Sequence, residues 1–295
     1  MRITENIVSY NYLENVNQTR EKIVDLQAQM ASGKRVRKPS DDPRASDAII
    51  RLTQALASNE QYSRNVEDGR GMADVTSTTL DGAAELFLTF KEVVVKASNG
   101  SADESFNIYA QQVDQLLSQM LSIANTRFNG KHIFGGTQTL EVPFTLSLDR
   151  QTVTKNPNGV GGTISYPVSD VLSQKVNISG EEAFQGTAIF DLMIQVRNTL
   201  LGKTPPTKTE VDAVNAGFDH LLQTTSTAGS YVQGLDALTE HLDQQKTKLM
   251  EFLSAEQDSD LAESVMKLKQ QETMLEAAIN TGARILPKTL LDFLR

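Results

Sequence analysis

The side chains best suited to chemistry are few and poorly spaced for it. Three histidines, His132, His220 and His241, fall in different segments, and none forms the i, i+4 pair with which a helix face holds a metal. The glycines of FGGT (134–137) and GVGG (159–162) lack the lysine and the strand-to-helix setting of a phosphate loop, so they read as turns. Asp258 and Asp260 have the spacing that opens a calcium loop, yet the glycine and the distal glutamate that complete one are missing. Cysteine does not occur, which excludes disulfides, thiolate ligands and a thiol nucleophile. The expectation is a non-enzyme with no catalytic residue, no cofactor and no metal.

The densest charge lies in SGKRVRKPSDDPRAS, from Ser32 to Ser46. The whole chain is acidic, with a net charge of -9, and the run has no interleaved aromatics, so nucleic acid is not an expected partner. Gly33 stands where a helix ends on a left-handed residue, and Asp42 with Pro43 supply the N-cap and first position of another helix. Lys34, Arg35, Arg37 and Lys38 follow a helix C-terminus and Asp41 precedes a helix N-terminus, each with the sign that the helix dipole favours. The connector built on Gly33, Arg35, Pro39, Asp41, Asp42 and Pro43 therefore reads as a corner. Contact with an acidic surface on a neighbouring subunit stays open as a second reading.

The elements around this corner are long. From about Thr207 to Glu256 one position recurs every seven residues as Val214, Leu221, Ala228, Leu235, Leu242 and Leu249, which is coiled-coil spacing. From Pro43 to about Ser98 the same period runs through Leu52, Val66, Ala73, Leu80, Phe87 and Val94, interrupted by Asn59, Ser63, Arg70 and Lys91. A helix of that length is about 75 Å long, too tall for an ordinary globular core. A third helix is expected over about Asp103 to Arg127, and a shorter one over Ala183 to Lys203. Between His132 and Gly180 helical spacing stops, and short β-rich runs alternate with turn residues.

Both ends carry an amphipathic face with nothing nearby in the sequence to cover it. At the front the face holds Ile3, Ile7, Leu13 and Val16; at the back it holds Leu275, Ile279 and Leu286. The two ends are expected to pair, leaving part of each stripe for contacts between subunits, and Leu290, Leu291, Phe293 and Leu294 extend that surface. No cleavable signal and no membrane span are expected. The fold class is mainly α, an elongated antiparallel helical bundle or coiled coil formed by the N- and C-terminal segments, with a small β-rich inserted domain. The expected organisation is 1–42 pairing with 257–295 as a terminal assembly domain, 43–135 with 181–256 as a helical rod, and 136–180 as the insert.

Three stretches carry a resemblance: QMASGKRVRKPSDDPRAS (29–46), RFNGKHIFGGTQT (127–139) and DSDLAESVMKLKQQETMLEAAINTGARILPKTLLDFLR (258–295). In that order they resemble the flagellin family over nearly everything outside the insert. PSDDP in the connector, the opening MRITENIVSY and the ending LLDFLR are similar to members found at the junction of hook and filament. The resemblance implies a structural subunit of the bacterial flagellum, secreted and extracellular. Its implied partners are copies of itself, hook-associated protein 1, flagellin, a flagellar export chaperone and the type III export apparatus. Flagellin itself is the alternative within the family, and a soluble coiled-coil binding or regulatory protein the alternative outside it.

Overall fold

The structure, a computed structural model, describes residues 2–99 and 103–285. Its helices are α1 (Arg2–Ser32), α2 (Pro43–Asn99), α3 (Asp103–Ala124), α4 (Gly180–Phe184), α5 (Ala188–Leu201), α6 (Lys208–Gln257) and α7 (Leu261–Ile285). Between α3 and α4 lie three antiparallel hairpins, β1 (Arg127–Phe128) with β2 (Lys131–His132), β3 (Phe144–Leu146) with β4 (Val153–Lys155), and β5 (Ser165–Pro167) with β6 (Ser173–Lys175). The fold is mainly α with a small β-rich region. Two compact units divide the chain, residues 1–58 with 246–295, and residues 59–245. The division between these units falls within α2 and α6.

The central unit, 59–245, is organised by the seven-residue ladders. Val66, Ala73, Leu80, Phe87 and Val94 of α2 are buried, as are Val214, Leu221, Ala228, Leu235 and Leu242 of α6. The two helices run antiparallel, with Arg70 paired to Asp236 at one level and Gly217 against Phe87 at another. A Cβ on Gly217 would sit 3.1 Å from the Phe87 ring, so the missing side chain sets how closely the helices approach. The capping box of α6 is Thr207 with Glu210: the Glu210 amide donates to the Thr207 hydroxyl at 3.3 Å and the Thr207 amide returns a 2.7 Å bond to the carboxylate.

The hairpins are not a core of their own. Phe134 and Phe144 meet Phe184 of α4 and Phe190 of α5, with centroids 5.1 to 5.7 Å apart and two contacts edge-to-face. Val168 and Val176, from the β5–β6 region, join Val66, Ala73, Leu235 and Leu242 in a second cluster. The apolar half of each hairpin therefore closes the helical ladder, and the insert expected over 136–180 shares its interior with the helices. Arg197 of α5, buried, donates to Asp114 of α3 at 2.8 Å, and Arg150 joins the same carboxylate at 2.9 Å. Burial raises the Asp114 pKa, but the two guanidiniums outweigh it and hold the group below its ordinary value.

Two local expectations need correction. The single helix expected over 183–203 is two, because Gln185 and Gly186 take left-handed conformations (φ 51° and 66°) that end α4 before α5 begins. Helix α3 stops at Ala124, and Asn129-Gly130, both at positive φ, turn β1 into β2 where helix was expected to reach 127.

His132, on β2, is buried; its Nδ1 bonds the Asn125 carbonyl at 2.9 Å, so Nε2 is left to accept from Arg127 Nε at 3.0 Å. Burial holds its pKa below the usual value, assisted by the Arg127 charge and opposed by the Asn125 bond. The unfolded ring binds its proton near pH 6.5 while the folded ring resists it, so stability is complete above that pH and is lost as pH falls below it. Thermal melts at pH 7.5 and 5.5 are expected to show a drop that His132→Gln diminishes. Phe184→Ala is expected to cost about 3–5 kcal/mol in urea unfolding.

Candidate interaction surface

In the other unit α1 packs against α7. Tyr12 of α1 donates its hydroxyl to the Ala278 carbonyl at 2.8 Å, and Gly282 lies under the same ring, where a Cβ would overlap the Tyr12 hydroxyl. Tyr12 and Gly282 were not among the residues expected to matter. A glycine inside an amphipathic helical pattern, in NTGAR, is the signal for such a close approach.

Pairing covers only part of the two apolar stripes. Val16 is buried within its own chain, at 8% exposure. Leu275 is half-buried. Ile7 at 53%, Leu13 at 55% and Ile279 at 48% remain open, and Val8, Val24, Val265, Met266 and Met274 are exposed beside them on the same two helices. Two amphipathic helices can each shield about one face of the other, and a wider stripe leaves an apolar margin in water. The Ile3 side chain and Leu286, Leu290, Leu291, Phe293 and Leu294 lie outside the described side chains.

The connector is a corner fastened to a second corner. Gly33, at φ 69°, ends α1, and Lys34 forms an antiparallel bridge with Asp258 in the turn between α6 and α7. The Arg35 amide donates to the Gln257 carbonyl at 2.7 Å, and the Ser259 amide to the Gly33 carbonyl at 2.9 Å. Pro39 occupies a turn closed by the Asp41 amide on the Lys38 carbonyl at 3.0 Å. Asp42 caps α2, accepting from the Arg44 and Ala45 amides at 3.1 and 3.0 Å, with Pro43 as the first helical residue.

Arg35 and Arg37 of the cluster have acid partners. The Arg35 guanidinium bonds Asp42 at 3.2 Å and the Glu256 carbonyl at 2.9 Å, and Arg37 pairs with Asp25 at 3.1 Å. Asp41 accepts from the Lys38 and Arg37 amides at 2.9 and 3.1 Å, and those two bonds hold its pKa below the ordinary value. Asp42 is lowered likewise, first by the Ala45 amide and then by Arg35. Glu256, Asp258 and Asp260 lie near the same bridge in the sequence.

Asp258, Asp260 and His220 have structural occupations, and His241 is exposed on α6. Asp260 caps α7 through the Ala262 and Glu263 amides at 2.8 and 3.1 Å, and Asp258 accepts from Ser254 at 2.6 Å. His220 bonds the Glu182 carbonyl at 2.8 Å. Among the described residues no group of three His, Asp or Glu is arranged to hold a metal ion, and no helix is long and apolar enough to cross a membrane.

Residues 3–139 match the bacterial flagellin N-terminal helical region. The chain is 30% identical over 146 residues to flagellar hook-associated protein 3 of Salmonella typhimurium, covering 49% of this chain and 46% of that protein. It is 23% identical over 227 residues to a flagellin of Salmonella derby, covering 72% of this chain and 45% of the flagellin. The chain thus spans about half the length of the curated relatives it matches. The structure of flagellar hook associated protein-3 from Legionella pneumophila shares the fold, with a TM-score of 0.60 at 14% identity, over 75% of this chain and 99% of that one.

The Tyr12–Gly282 contact gives a direct test of the helix pairing. Gly282→Leu is expected to weaken it by about 1–3 kcal/mol, the usual range for overpacking. Hydrogen exchange over residues 7–32 and 261–282 should speed up in that variant, while residues 66–94 keep their protection. Tyr12→Ala in the same chain should restore part of the loss by vacating the space.

Proposed function

From a chain whose residues 3–139 match a flagellin N-terminal helical region, we propose a structural subunit of the bacterial flagellum that forms the layer between hook and filament. The observation that carries this reading is the apolar margin left open on α1 and α7, with Ile7, Leu13 and Ile279 each about half exposed although the two helices already cover one another. A surface of that kind is stabilised when copies of one subunit stand side by side and repeat the same heterologous contact. The role requires no bond-making chemistry.

Support for the junction over the filament comes from the higher identity to hook-associated protein 3 than to flagellin. The partners of such a layer are further copies of the chain, hook-associated protein 1 on the hook side and flagellin beyond it. An export chaperone and the type III export apparatus deliver it to its extracellular site. Flagellin is the second reading, favoured by the larger share of this chain, 72%, that the flagellin match covers.

Immunolabelling of purified flagella separates the two. A short band at the far end of the hook is the expected result; label along the whole filament identifies a flagellin. Cells carrying Ile7→Asp with Ile279→Asp should bear hooks without filaments, since each carboxylate would have to be desolvated at the contact. Filaments of normal length on such cells would overturn the assembly role of α1 and α7.

A further inference from the structure

Two glycines of α2 seat two hairpins on one turn of the helix. A Cβ on Gly69 would stand 2.7 Å from Val176, beside β6, and one on Gly71 would touch the Phe128 ring of β1 at 3.4 Å. Between the hairpins lies an open cleft of about 400 Å³, walled by Met72 of α2, Phe128 and Ile133 of the first hairpin and Tyr166 of the other. Its size falls in the lower part of the range of about 300–1,000 Å³ for sites that take up a small apolar group. Lys131 and Asp68 line the same cleft, and neither has an ion-pair partner among the described residues.

The β3–β4 hairpin ends in a knob. Leu148 at its tip is fully exposed, and a lone exposed leucine says little by itself. What sets this one apart is how firmly its turn is held. The Arg150 amide closes the turn on the Ser147 carbonyl at 2.9 Å, and the Asp149 carboxylate accepts from the Ser147 hydroxyl and, at 3.0 Å, from the Gln151 amide. The Arg150 guanidinium is drawn back onto Asp114 and Ser118, and Arg197 donates to the Arg150 carbonyl at 2.7 Å. With Arg150 turned inward, the tip offers one apolar group, Leu148, and one outward charge, the exposed Asp149. The Ser147 hydroxyl and then the Gln151 amide hold the Asp149 pKa below its ordinary value, so the charge is present at neutral pH.

We propose that the Leu148 tip of one copy seats in the cleft between the hairpins of the next copy, with Asp149 beside Lys131. The inference deepens the flagellar reading, on which it rests for copies that stand side by side. A heterologous contact needs two different surfaces on every copy, and here the knob is anchored on α3 and α5 while the cleft is built on α2. The knob is ordered in advance, so seating it costs little conformational freedom. Leu148 gains the apolar wall of Met72, Phe128 and Tyr166, and Asp149 gains a cation that has no acid partner in its own chain. Asp68 on the α2 wall sets the direction, because a tip seated with its carboxylate towards α2 would bring two anions together.

The chain has no cysteine, so introduced thiols are the only ones present. Leu148→Cys is combined in the full-length chain with Thr139→Cys, which lines the cleft and gives only its carbonyl to His132. Cells making this chain in place of the unaltered one are oxidised as whole cultures and blotted without reductant. A ladder of cross-linked multimers is expected from the pair, and monomer from either single variant. Leu148→Cys with Thr227→Cys, at an exposed position of α6, should also stay monomeric. Lys131→Glu added to the first pair should lower the multimer fraction at least threefold. Thermal melts of each purified variant, expected to match the unaltered protein, show that folding is intact. Immunolabelling of the same cells reports on the flagellar role separately: a ladder without label at the hook keeps the contact and removes that role. A labelled band at the hook without a ladder, no ladder at all, or an equal ladder from the Thr227→Cys pair would overturn the proposal.

Discussion

The structure depends on the contact between two seven-residue ladders, one on α2 and one on α6. Each rung of the central unit removes an aliphatic or aromatic side chain from water, at about 1.5–3 kcal/mol for a full-sized one, and the repeat keeps the rungs in line along both helices. A pair of helices still leaves the flanks of its seam open. Here α3, α5 and the hairpins close them, with the phenylalanines at 134, 144, 184 and 190 filling the space between strands and helices. Glycines set the distances: Gly69, where a Cβ would stand 2.7 Å from Val176, and Gly217 against Phe87 let backbone approach where a side chain would hold it off.

The terminal unit is built on a different balance. Few of its described apolar side chains are buried, Val16, Val36 and Ala45 among them, while Ile7, Leu13, Val24, Met266 and Ile279 face water. Its order rests on polar devices instead: a bridge between two corners, carboxylate caps on α2 and α7, and a tyrosine held over a glycine. Such contacts individually contribute little, because each replaces bonds to water that were nearly as good. A surface stabilised this lightly and left this apolar is suited to being completed from outside.

Much of this was legible in the sequence because its strongest signal is periodic. The seven-residue repeat located α2 and α6 to within a residue or two, and the rungs it named from Val66 to Val94 and from Val214 to Leu242 are buried. Gly33, Asp42 and Pro43 marked the corner through backbone rules that hold whatever surrounds them. What the pattern could not carry was tertiary. Val16 and Ile7 look alike on a helical wheel, and only the partner helix decides that one is covered and the other is not. Gly186 breaks a strongly apolar segment that periodicity alone joins, and Asn129-Gly130 turns β1 into β2 just past the end expected for the helix before it. The sharing of the insert's interior with the helices depends on contacts between residues far apart in the chain, such as Val66 and Val176.

The bridge between Lys34 and Asp258 closes a very long ring without a covalent bond; Arg35 and Glu256, beside it, are 221 residues apart. Closure entropy grows only with the logarithm of ring size, so doubling the enclosed segment costs about 0.6 kcal/mol. The middle of this chain is therefore cheap to enlarge or trim at an exposed hairpin tip such as that around Leu148. The clasp at the ends would scarcely register the difference, and one pair of termini can serve chains of very unequal girth.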